Sequence, residues 1–281
     1  MTVPDAAGAG YRAADGLAVT LDGAVLRLTL DRPARRNALD DAMVAGLVDA
    51  LDACGRDERV RCVVLSGAGD HFCGGADIVA RNAPAADGQP ARRPRVGSIQ
   101  RRVPSLAHRL IGLVLGVQVP VVCRVQGWAA GIGLQLAVAA DFAVVDEEAR
   151  LWEPFAERGF TPDSAATWLL PRAVGTVRAR ELLLLGRRLD GREAAAWGLV
   201  HRAVPGDRLD AEVGALVDRL AGGPTVALGL TKWLLHAGHT AALDDQLQNE
   251  ALGLELSSRS EDFREGLAAF SEKRPPRFTG R

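Results

Sequence analysis

The sequence is short of the features that mark several protein classes. It has four cysteines, which form neither a CxxC pair nor a Cys/His cluster with zinc-ligand spacing. No hydrophobic run approaches the length of a transmembrane helix, and the N-terminal segment lacks the basic start and apolar core of a signal peptide. The formal net charge of −1 gives no overall field that favours nucleic acid. We therefore expect buried free thiols, no metal, no nucleic-acid or membrane partner, and a cytoplasmic location.

Several catalytic and nucleotide-binding motifs are missing as well. The segment GIGLQL has only two of the three glycines of a dinucleotide-binding fingerprint and lies in no matching structural unit. The sequence contains no GxSxG elbow and no phosphate-binding P-loop. These absences argue against an NAD-dependent enzyme, a serine hydrolase of the elbow type and a P-loop enzyme.

The composition that remains, 48% hydrophobic and 25% charged, is typical of a soluble globular protein with a sizeable core. The segment LAVTLDGAVLRLTLD alternates apolar and polar residues around Asp22-Gly23, which predicts a β-hairpin. A helix is predicted next, with Asn37 or Asp40 as its N-cap. The valine-rich run VRCVVLSGAG that follows is typical of a central strand buried on both faces.

The rest of the chain repeats this alternation. A loop without periodic pattern runs from Asp77 to Gly97, and helical character returns up to Gly116. A third apolar strand, VPVVCRVQG, leads directly into a glycine turn and a helix. This recurrence predicts repeated ββα-like units rather than a doubly wound sheet. From Asp207 onwards nearly everything is predicted to be helical, and the amphipathic last segment must pack on the core or on another subunit.

The stretch from Gly127 to Pro171 combines a small-residue turn with acidic residues. The turn around Gly131 opens an apolar helix, whose first N–H groups and macrodipole favour an anion without a cationic side chain. The loop that follows the next strands carries three carboxylates: Glu153, Glu157 and Asp163. The pattern predicts an oxyanion site facing a carboxylate.

Ordered blocks along nearly the whole chain resemble the crotonase superfamily of enoyl-CoA hydratases and isomerases. They are LDRPARRNAL, VRCVVLSGAGDHFCGGADI, VPVVCRVQGWAAGIGLQLAVAADFAV, GTVRARELLLLGRRLDGREAAAWGLVHRAV and EDFREGLAAFSEKRPPRFTG. The resemblance implies an α/β fold, with a spiral core of ββα units over residues 1–206 and a C-terminal helical region for oligomerisation over residues 207–281. It also implies a homotrimer or homohexamer and a role in fatty acid metabolism.

The resemblance further implies an acyl-CoA substrate, with coenzyme A as part of that substrate and no tightly bound cofactor. The thioester oxygen would lie between the backbone N–H groups of Ala76 and Ile132, which would stabilise an enolate-like anion. Many relatives have glycine at the second position, so the side chain of Ile132 must point away from the thioester. Contacts to coenzyme A are expected from Arg32, Arg35, Asn37, Ala38, Gly75, Ala76, Asp77, Ile78, Phe270 and Lys273.

Catalysis is where the sequence departs from the typical hydratase. Hydratases of the family use two glutamates, and the aligned positions here are Gln135 and Phe155. Gln135 can orient a water but cannot take a proton, and Phe155 can do neither. A shifted alignment, in which Glu153 or Glu157 supplies a carboxylate, remains an alternative.

Asp163 is the carboxylate with a family precedent, because double-bond isomerases of the family carry an aspartate at this loop position. One base near an enolate is sufficient to remove a proton from one carbon and return it to another. We expect Phe155, Phe160 and Trp168 to raise the pKa of a carboxylate beside them. The simpler alternative is that Asp163 caps the helix expected to begin at Ser164.

Two other functions stay open. The dehalogenases of the family also place an aspartate here and a histidine on the helix before the third strand, a spacing that His108 matches. Asp163 would then attack as a nucleophile while His108 activates water. Alternatively, the chain binds acyl-CoA without catalysis. We favour the double-bond isomerase with Asp163 as base over these and over the hydratase.

Overall fold

The computed structural model describes residues 10–78 and 95–281. Most of the loop expected after Asp77, residues 79–94, lies outside the described residues. The strands are β1 (Leu17–Asp22), β2 (Val25–Leu30), β3 (Cys62–Gly67), β4 (Val121–Val125), β5 (Trp128–Ala130), β6 (Phe142–Asp146), β7 (Arg150–Trp152), β8 (Leu189–Asp190) and β9 (Arg202–Val204). They form a six-stranded sheet in the order β1-β2-β3-β4-β6-β9 and a three-stranded sheet in the order β5-β7-β8.

The large sheet begins with the predicted hairpin and continues in parallel. Strands β1 and β2 are antiparallel, and every further pairing in this sheet is parallel. In the small sheet, β5 pairs in parallel with β7, and β8 runs antiparallel to β7. The valine-rich strands β3 and β4 are buried on both faces, as their unbroken apolar runs predict.

The helices connect these strands and then continue alone at the C-terminus. They are α1 (Asp41–Cys54), α2 (Ser98–Arg102), α3 (Ala107–Gly116), α4 (Ile132–Ala139), α5 (Ala166–Leu185), α6 (Gly191–Ala196), α7 (Leu209–Ala221), α8 (Thr225–Gly238), α9 (Leu243–Ser257) and α10 (Glu261–Glu272). Of the two N-caps proposed for α1, Asp40 is correct, because its carboxylate accepts the N–H of Met43 at 2.9 Å. The single helix expected from Ile99 to Gly116 is interrupted by a 3-10 turn that contains Pro104.

The core has two parts, one on each face of the large sheet. Residues of β3 alternate between them: Val63 and Leu65 join the main cluster, whereas Cys62 and Val64 pack in a smaller cluster that includes residues of α7. The cysteines are all free and buried, as expected: Cys54, Cys62, Cys73 and Cys123. Burial raises the pKa of the Cys73 thiol to about 12, so it stays protonated and packs as an apolar side chain.

The C-terminal helices leave apolar side chains in solvent. Leu243, Leu254 and Leu267 are more than half exposed, and Phe270 at the end of α10 is 87% exposed. Among the described residues, no helix is long and apolar enough to cross a bilayer, and no group of acidic, histidine and cysteine side chains could hold a metal ion. The boundary between a core at residues 1–206 and a helical region at residues 207–281 stays a prediction.

Candidate active site

Two turns that are far apart in sequence lie side by side. The N–H of Cys73 donates to the carbonyl oxygen of Trp128 at 2.8 Å, and the N–H of Ala130 donates to the carbonyl oxygen of Cys73 at 2.9 Å. This short parallel bridge sets the turn of Gly75 and Ala76 beside the glycine turn that opens α4. The sequence-predicted pair of oxyanion donors therefore comes from adjacent turns.

The glycines of the second turn have steric reasons to be there. Gly131 adopts φ 52° and ψ −126°, a conformation that side chains disfavour. Gly133 packs directly on Cys73, since a Cβ atom at position 133 would lie 2.7 Å from both the Cβ and the carbonyl oxygen of Cys73. Close approach of backbone to backbone is thus what permits the two turns to meet.

The N–H groups of Ala76 and Ile132 are available as donors. Within the part of the chain that the structure describes, neither forms a hydrogen bond to a protein acceptor. Ile132 is the first residue of α4, so its N–H has no partner within the helix. Ile132 is 5% exposed and packs in the main core, and the orientation of its side chain relative to a thioester stays a prediction.

Arg32 links two segments that are expected to contact coenzyme A, residues 32–38 and residues 75–78. The Arg32 guanidinium lies 3.0 Å from the Asp40 carboxylate and 3.1 Å from that of Asp77, and it donates to the carbonyl oxygen of Ala38 at 2.9 Å. Asp77 is 4% exposed, so this ion pair is largely inside the protein. Arg35 remains exposed beside it.

Asn37 is engaged entirely within the protein. Its side chain is 0% exposed, and its amide nitrogen donates to the carbonyl oxygens of Ala68 and His71 at 2.9 and 2.6 Å. Its amide oxygen accepts the N–H of Arg32 at 2.8 Å. The side chain therefore fixes the loops around the site, a role that the sequence did not indicate. The other expected contacts, Phe270 and Lys273, are exposed on the last turn of α10 and just beyond it.

Asp163 is exposed, and it does not cap a helix. Helix α5 begins at Ala166, its N-cap position is Ala165, and no side chain caps its first turn. The Asp163 carboxylate instead accepts the hydroxyl of Ser164 at 3.0 Å. Ser164 and Ala165 both adopt left-handed φ angles, 51° and 65°. The capping alternative is therefore wrong, because the chain turns sharply before the helix starts.

Phe155, which is expected at the position of a hydratase glutamate, belongs to the core. It is 3% exposed and packs edge-on against Phe160, with ring centroids 5.4 Å apart. Of the aromatic residues expected around Asp163, Phe155 is buried, whereas Asp163 and Phe160 are exposed. Glu157 is also exposed, and it pairs with Arg188 at 3.4 Å. His108 is exposed near the start of α3, and no contact joins it to Asp163 among the described residues.

The buried carboxyl of this region is that of Glu153. Glu153 and Gln135 are both 0% exposed, and the Gln135 amide Nε2 donates to Glu153 Oε1 at 2.5 Å. Burial raises the pKa of Glu153 well above its usual 4.5; the hydrogen bond from Gln135 lowers this pKa, and the field of Asp163 raises it further. The sequence offers Glu153 only as an alternative carboxylate, and no local pattern indicates its pairing with Gln135.

Known proteins resemble this chain over nearly its whole length. A family model described as enoyl-CoA hydratase/isomerase matches residues 20–281. The chain is 40% identical to the 1,2-epoxyphenylacetyl-CoA isomerase of Escherichia coli, over 92% of this chain and 95% of the relative. It is 37% identical to a Rhodobacter capsulatus protein named "Probable enoyl-CoA hydratase", over 96% and 97% of the two chains.

A solved structure extends the agreement to the fold. The crystal structure of an enoyl-CoA hydratase from Bacillus anthracis superposes with a TM-score of 0.85 and 29% identity, covering 95% of this chain and 100% of the other. The predicted crotonase fold is thereby confirmed. With a matching fold and a family model that spans residues 20–281, this chain belongs to the enoyl-CoA hydratase/isomerase family.

Proposed function

We propose that this protein is an enoyl-CoA isomerase that shifts a double bond of an acyl-CoA thioester, with Asp163 as the proton-transferring base. The thioester oxygen accepts hydrogen bonds from Ala76 and Ile132. Asp163 removes a proton from a carbon next to the unsaturated system, and the electron pair moves onto that oxygen as an enolate. The protonated Asp163 then returns the proton to a different carbon, so that the double bond moves and no atom is gained or lost.

The choice of an isomerase over a hydratase rests on the side chain of Phe155. Hydration needs one group to deprotonate water and a positioned acid to protonate carbon, which the hydratases of the family supply with two glutamates. At one of those positions this chain has a phenyl ring that is 3% exposed and packed on Phe160. An isomerase needs a single base, and the exposed carboxylate of Asp163 meets that need. The E. coli relative, whose name is that of an isomerase, supports the same class.

Hydration through a different carboxyl is the second candidate. It is favoured by the contact between Glu153 and Gln135, which brings a carboxyl group to the residue aligned with the other hydratase glutamate. Against it, the Glu153 side chain is 0% exposed, so water does not reach it in this structure. The hydratase activity therefore ranks below the isomerase activity.

The accompanying proposals follow from the same family membership. Coenzyme A enters as part of the substrate, and Arg35, Phe270 and Lys273 are the exposed residues offered as its contacts. A homotrimer or homohexamer would cover the exposed apolar side chains of α9 and α10. A cytoplasmic location and a role in fatty acid metabolism complete the proposal.

The test compares the wild-type protein with Asp163→Asn in two assays. Isomerisation of trans-3-hexenoyl-CoA is followed through the absorbance of the conjugated product, and hydration of crotonyl-CoA through its loss. Binding of coenzyme A is measured by calorimetry. We expect wild-type isomerisation to exceed hydration, and Asp163→Asn to lower isomerisation by about a hundredfold or more while coenzyme A still binds.

The matched control is Glu157→Gln, which neutralises an exposed carboxylate of the same loop and should leave turnover unchanged. Faster hydration than isomerisation in the wild-type protein would establish the second candidate. Binding of coenzyme A without turnover of either substrate would identify a non-catalytic acyl-CoA binder. Turnover that fails in both Asp163→Asn and His108→Ala would favour the dehalogenase-like mechanism, which needs Asp163 as the nucleophile and His108 to activate water.

A further inference from the structure

Glu153 and Gln135 form a polar pair inside the protein, below the oxyanion turn. Glu153 directly follows β7, and Gln135 lies three residues into α4 from Ile132. Both side chains are 0% exposed, and one hydrogen bond of 2.5 Å joins Gln135 Nε2 to Glu153 Oε1. A carboxyl group in such a place needs either a cation or a proton, because a bare buried charge is costly.

No cationic side chain in the described part of the chain pairs with Glu153. Among the described residues, no salt bridge involves Glu153, and the charged group whose field reaches it is Asp163, which is also negative. Helix α4 contributes no titratable residue to the surroundings. On the outer side of the same loop, Glu157 and Arg188 are exposed and pair with each other. The surroundings therefore favour a neutral Glu153.

The hydrogen bonds of the Glu153–Gln135 pair also favour a neutral Glu153. Gln135 Oε1 and Glu153 Oε2 are both buried, and neither has a hydrogen-bond partner among residues 10–78 and 95–281. An ionised carboxylate and an amide oxygen are both acceptors, so neither can satisfy the other. A proton on Glu153 Oε2 supplies the missing donor, and its donation to Gln135 Oε1 would satisfy both atoms at once. The pair then has two parallel hydrogen bonds, as in an acid–amide dimer.

Such a pair would fix two parts of the active site to each other. Gln135 belongs to the first turns of α4, whose N-terminal residue carries the oxyanion donor Ile132. Glu153 belongs to the loop that continues to Asp163. Next to this pair, the N–H of Gly131 donates to the carbonyl oxygen of Trp152 at 2.9 Å. The side-chain pair adds a further connection close to this one.

We propose that Glu153 is a positioning residue of the active site, which pairs with Gln135 as a neutral carboxylic acid and holds the oxyanion turn against the loop that carries Asp163. Its protonation state is independent of the proposed isomerase activity, whereas its effect on turnover rests on that activity. Ionisation at alkaline pH removes the donor to Gln135 and loosens the pair. Glu153→Gln keeps a two-point pair, since an amide can both donate to and accept from Gln135.

Infrared spectroscopy tests the protonation state without any turnover. In difference spectra between the wild-type protein and Glu153→Gln at neutral pH, we expect the carbonyl stretch of a protonated carboxylic acid, which disappears at alkaline pH. The control Glu157→Gln should show a carboxylate difference instead. If the band assigned to Glu153 is that of a carboxylate at neutral pH, the proposal is wrong whatever the activity is.

The carbonyl stretch of bound crotonyl-CoA tests the positioning role. Two N–H donors lower this frequency, so it reports the geometry of the oxyanion site directly. We expect the wild-type protein to lose this shift at alkaline pH, Glu153→Gln to keep it, and Glu153→Leu to lose it at every pH while coenzyme A still binds. The isomerisation rate should likewise fall at alkaline pH in the wild-type protein and persist in Glu153→Gln. In Glu153→Leu, kcat should be about ten- to a hundredfold lower at every pH.

If Glu153 stabilises the fold without positioning the oxyanion turn, the results will differ. Glu153→Gln would then share the pH profile of the wild-type protein, and the carbonyl shift would be the same in all variants that fold. Should Glu153→Leu fail to fold, the comparison of wild-type protein with Glu153→Gln across pH still decides the matter. An absence of isomerisation accompanied by the expected carbonyl shifts would reject the proposed function and leave the role of Glu153 standing.

Discussion

The buried lysine Lys232 offers a sharp test of how the C-terminal helices are joined to the core. Its Nζ lies 2.7 Å from the Asp141 carboxylate and donates to the carbonyl oxygens of Val114 and Val119 at 2.9 and 3.3 Å. Val114 belongs to the last turn of α3, where carbonyl groups have no partner within the helix. Lys232 is only 6% exposed, so α8 is tied to α3 and to the start of β6 from inside the protein.

Lys232→Met should destabilise the protein by about 3 kcal/mol. Removing one partner of a buried ion pair typically costs about 3 to 5 kcal/mol, because the other charge is left without compensation. The lower end applies because the Asp141 side chain is 17% exposed and still accepts the N–H of Val121 at 2.8 Å. With an unfolding entropy of about 2.1 cal/mol/K per residue, this corresponds to a fall in Tm of about 5 °C.

Guanidinium denaturation at a fixed protein concentration measures the effect, with circular dichroism as the signal. The double variant Asp141→Asn, Lys232→Met should lose less stability than Lys232→Met alone, since no charge is then left unpaired. The exposed Lys273 provides the control, and Lys273→Met should remain within about 0.5 kcal/mol of the wild-type protein. A Lys232→Met protein as stable as the control would refute the reasoning.

Three further perturbations address the active-site turns. Ala165→Gly should raise the free energy of unfolding in urea by up to about 1 kcal/mol, because glycine adopts the left-handed conformation without the cost that alanine has. Part of this gain is lost, since glycine also gives the unfolded chain more conformational freedom. A lower free energy of unfolding would contradict this reasoning. Gly133→Ala should lower the free energy of unfolding by about 1 to 3 kcal/mol and weaken acyl-CoA binding, since the added methyl group would lie 2.7 Å from Cys73. Unchanged binding would contradict this prediction. Glu153→Gln should gain stability relative to the wild-type protein as pH rises above 4.5, where the unfolded carboxyl ionises before the folded one does; the opposite slope would show that the Glu153 pKa is not raised.

Local sequence patterns predicted most of the fold. The Asp22-Gly23 turn, the Asp40 cap and the apolar runs of β3 and β4 each depend on neighbouring residues, and the structure agrees with all of them. The glycine turn that opens α4 was also predictable, because glycines in such a turn have a steric purpose that can be read locally. Pro104 shows where apolar periodicity fails as a predictor. The apolar spacing continues across this proline, but the structure has a 3-10 turn there that interrupts the helix.

What the sequence missed depends on contacts between distant segments. The pairing of Gln135 with Glu153 requires β5 and β7 to be neighbours in the small sheet, and no local pattern encodes that pairing. Asn37 was expected at the substrate, but its amide holds the backbone of residues 68 and 71. Asp163 was expected either in apolar surroundings or as a helix cap. Its carboxylate is exposed, and left-handed Ser164 and Ala165 turn the chain before α5 begins.

Exchange of the hydrogen next to the thioester carbonyl tests the central claim most directly, because it requires both the oxyanion turn and the base but no particular acyl chain. Butyryl-CoA is incubated with the protein in D₂O, and deuterium at the carbon beside the carbonyl is measured by mass spectrometry. The wild-type protein should catalyse this exchange, and Asp163→Asn should reduce its rate by about a hundredfold or more while coenzyme A affinity is kept. Exchange by Asp163→Asn at the wild-type rate would contradict the assignment of Asp163 as the base.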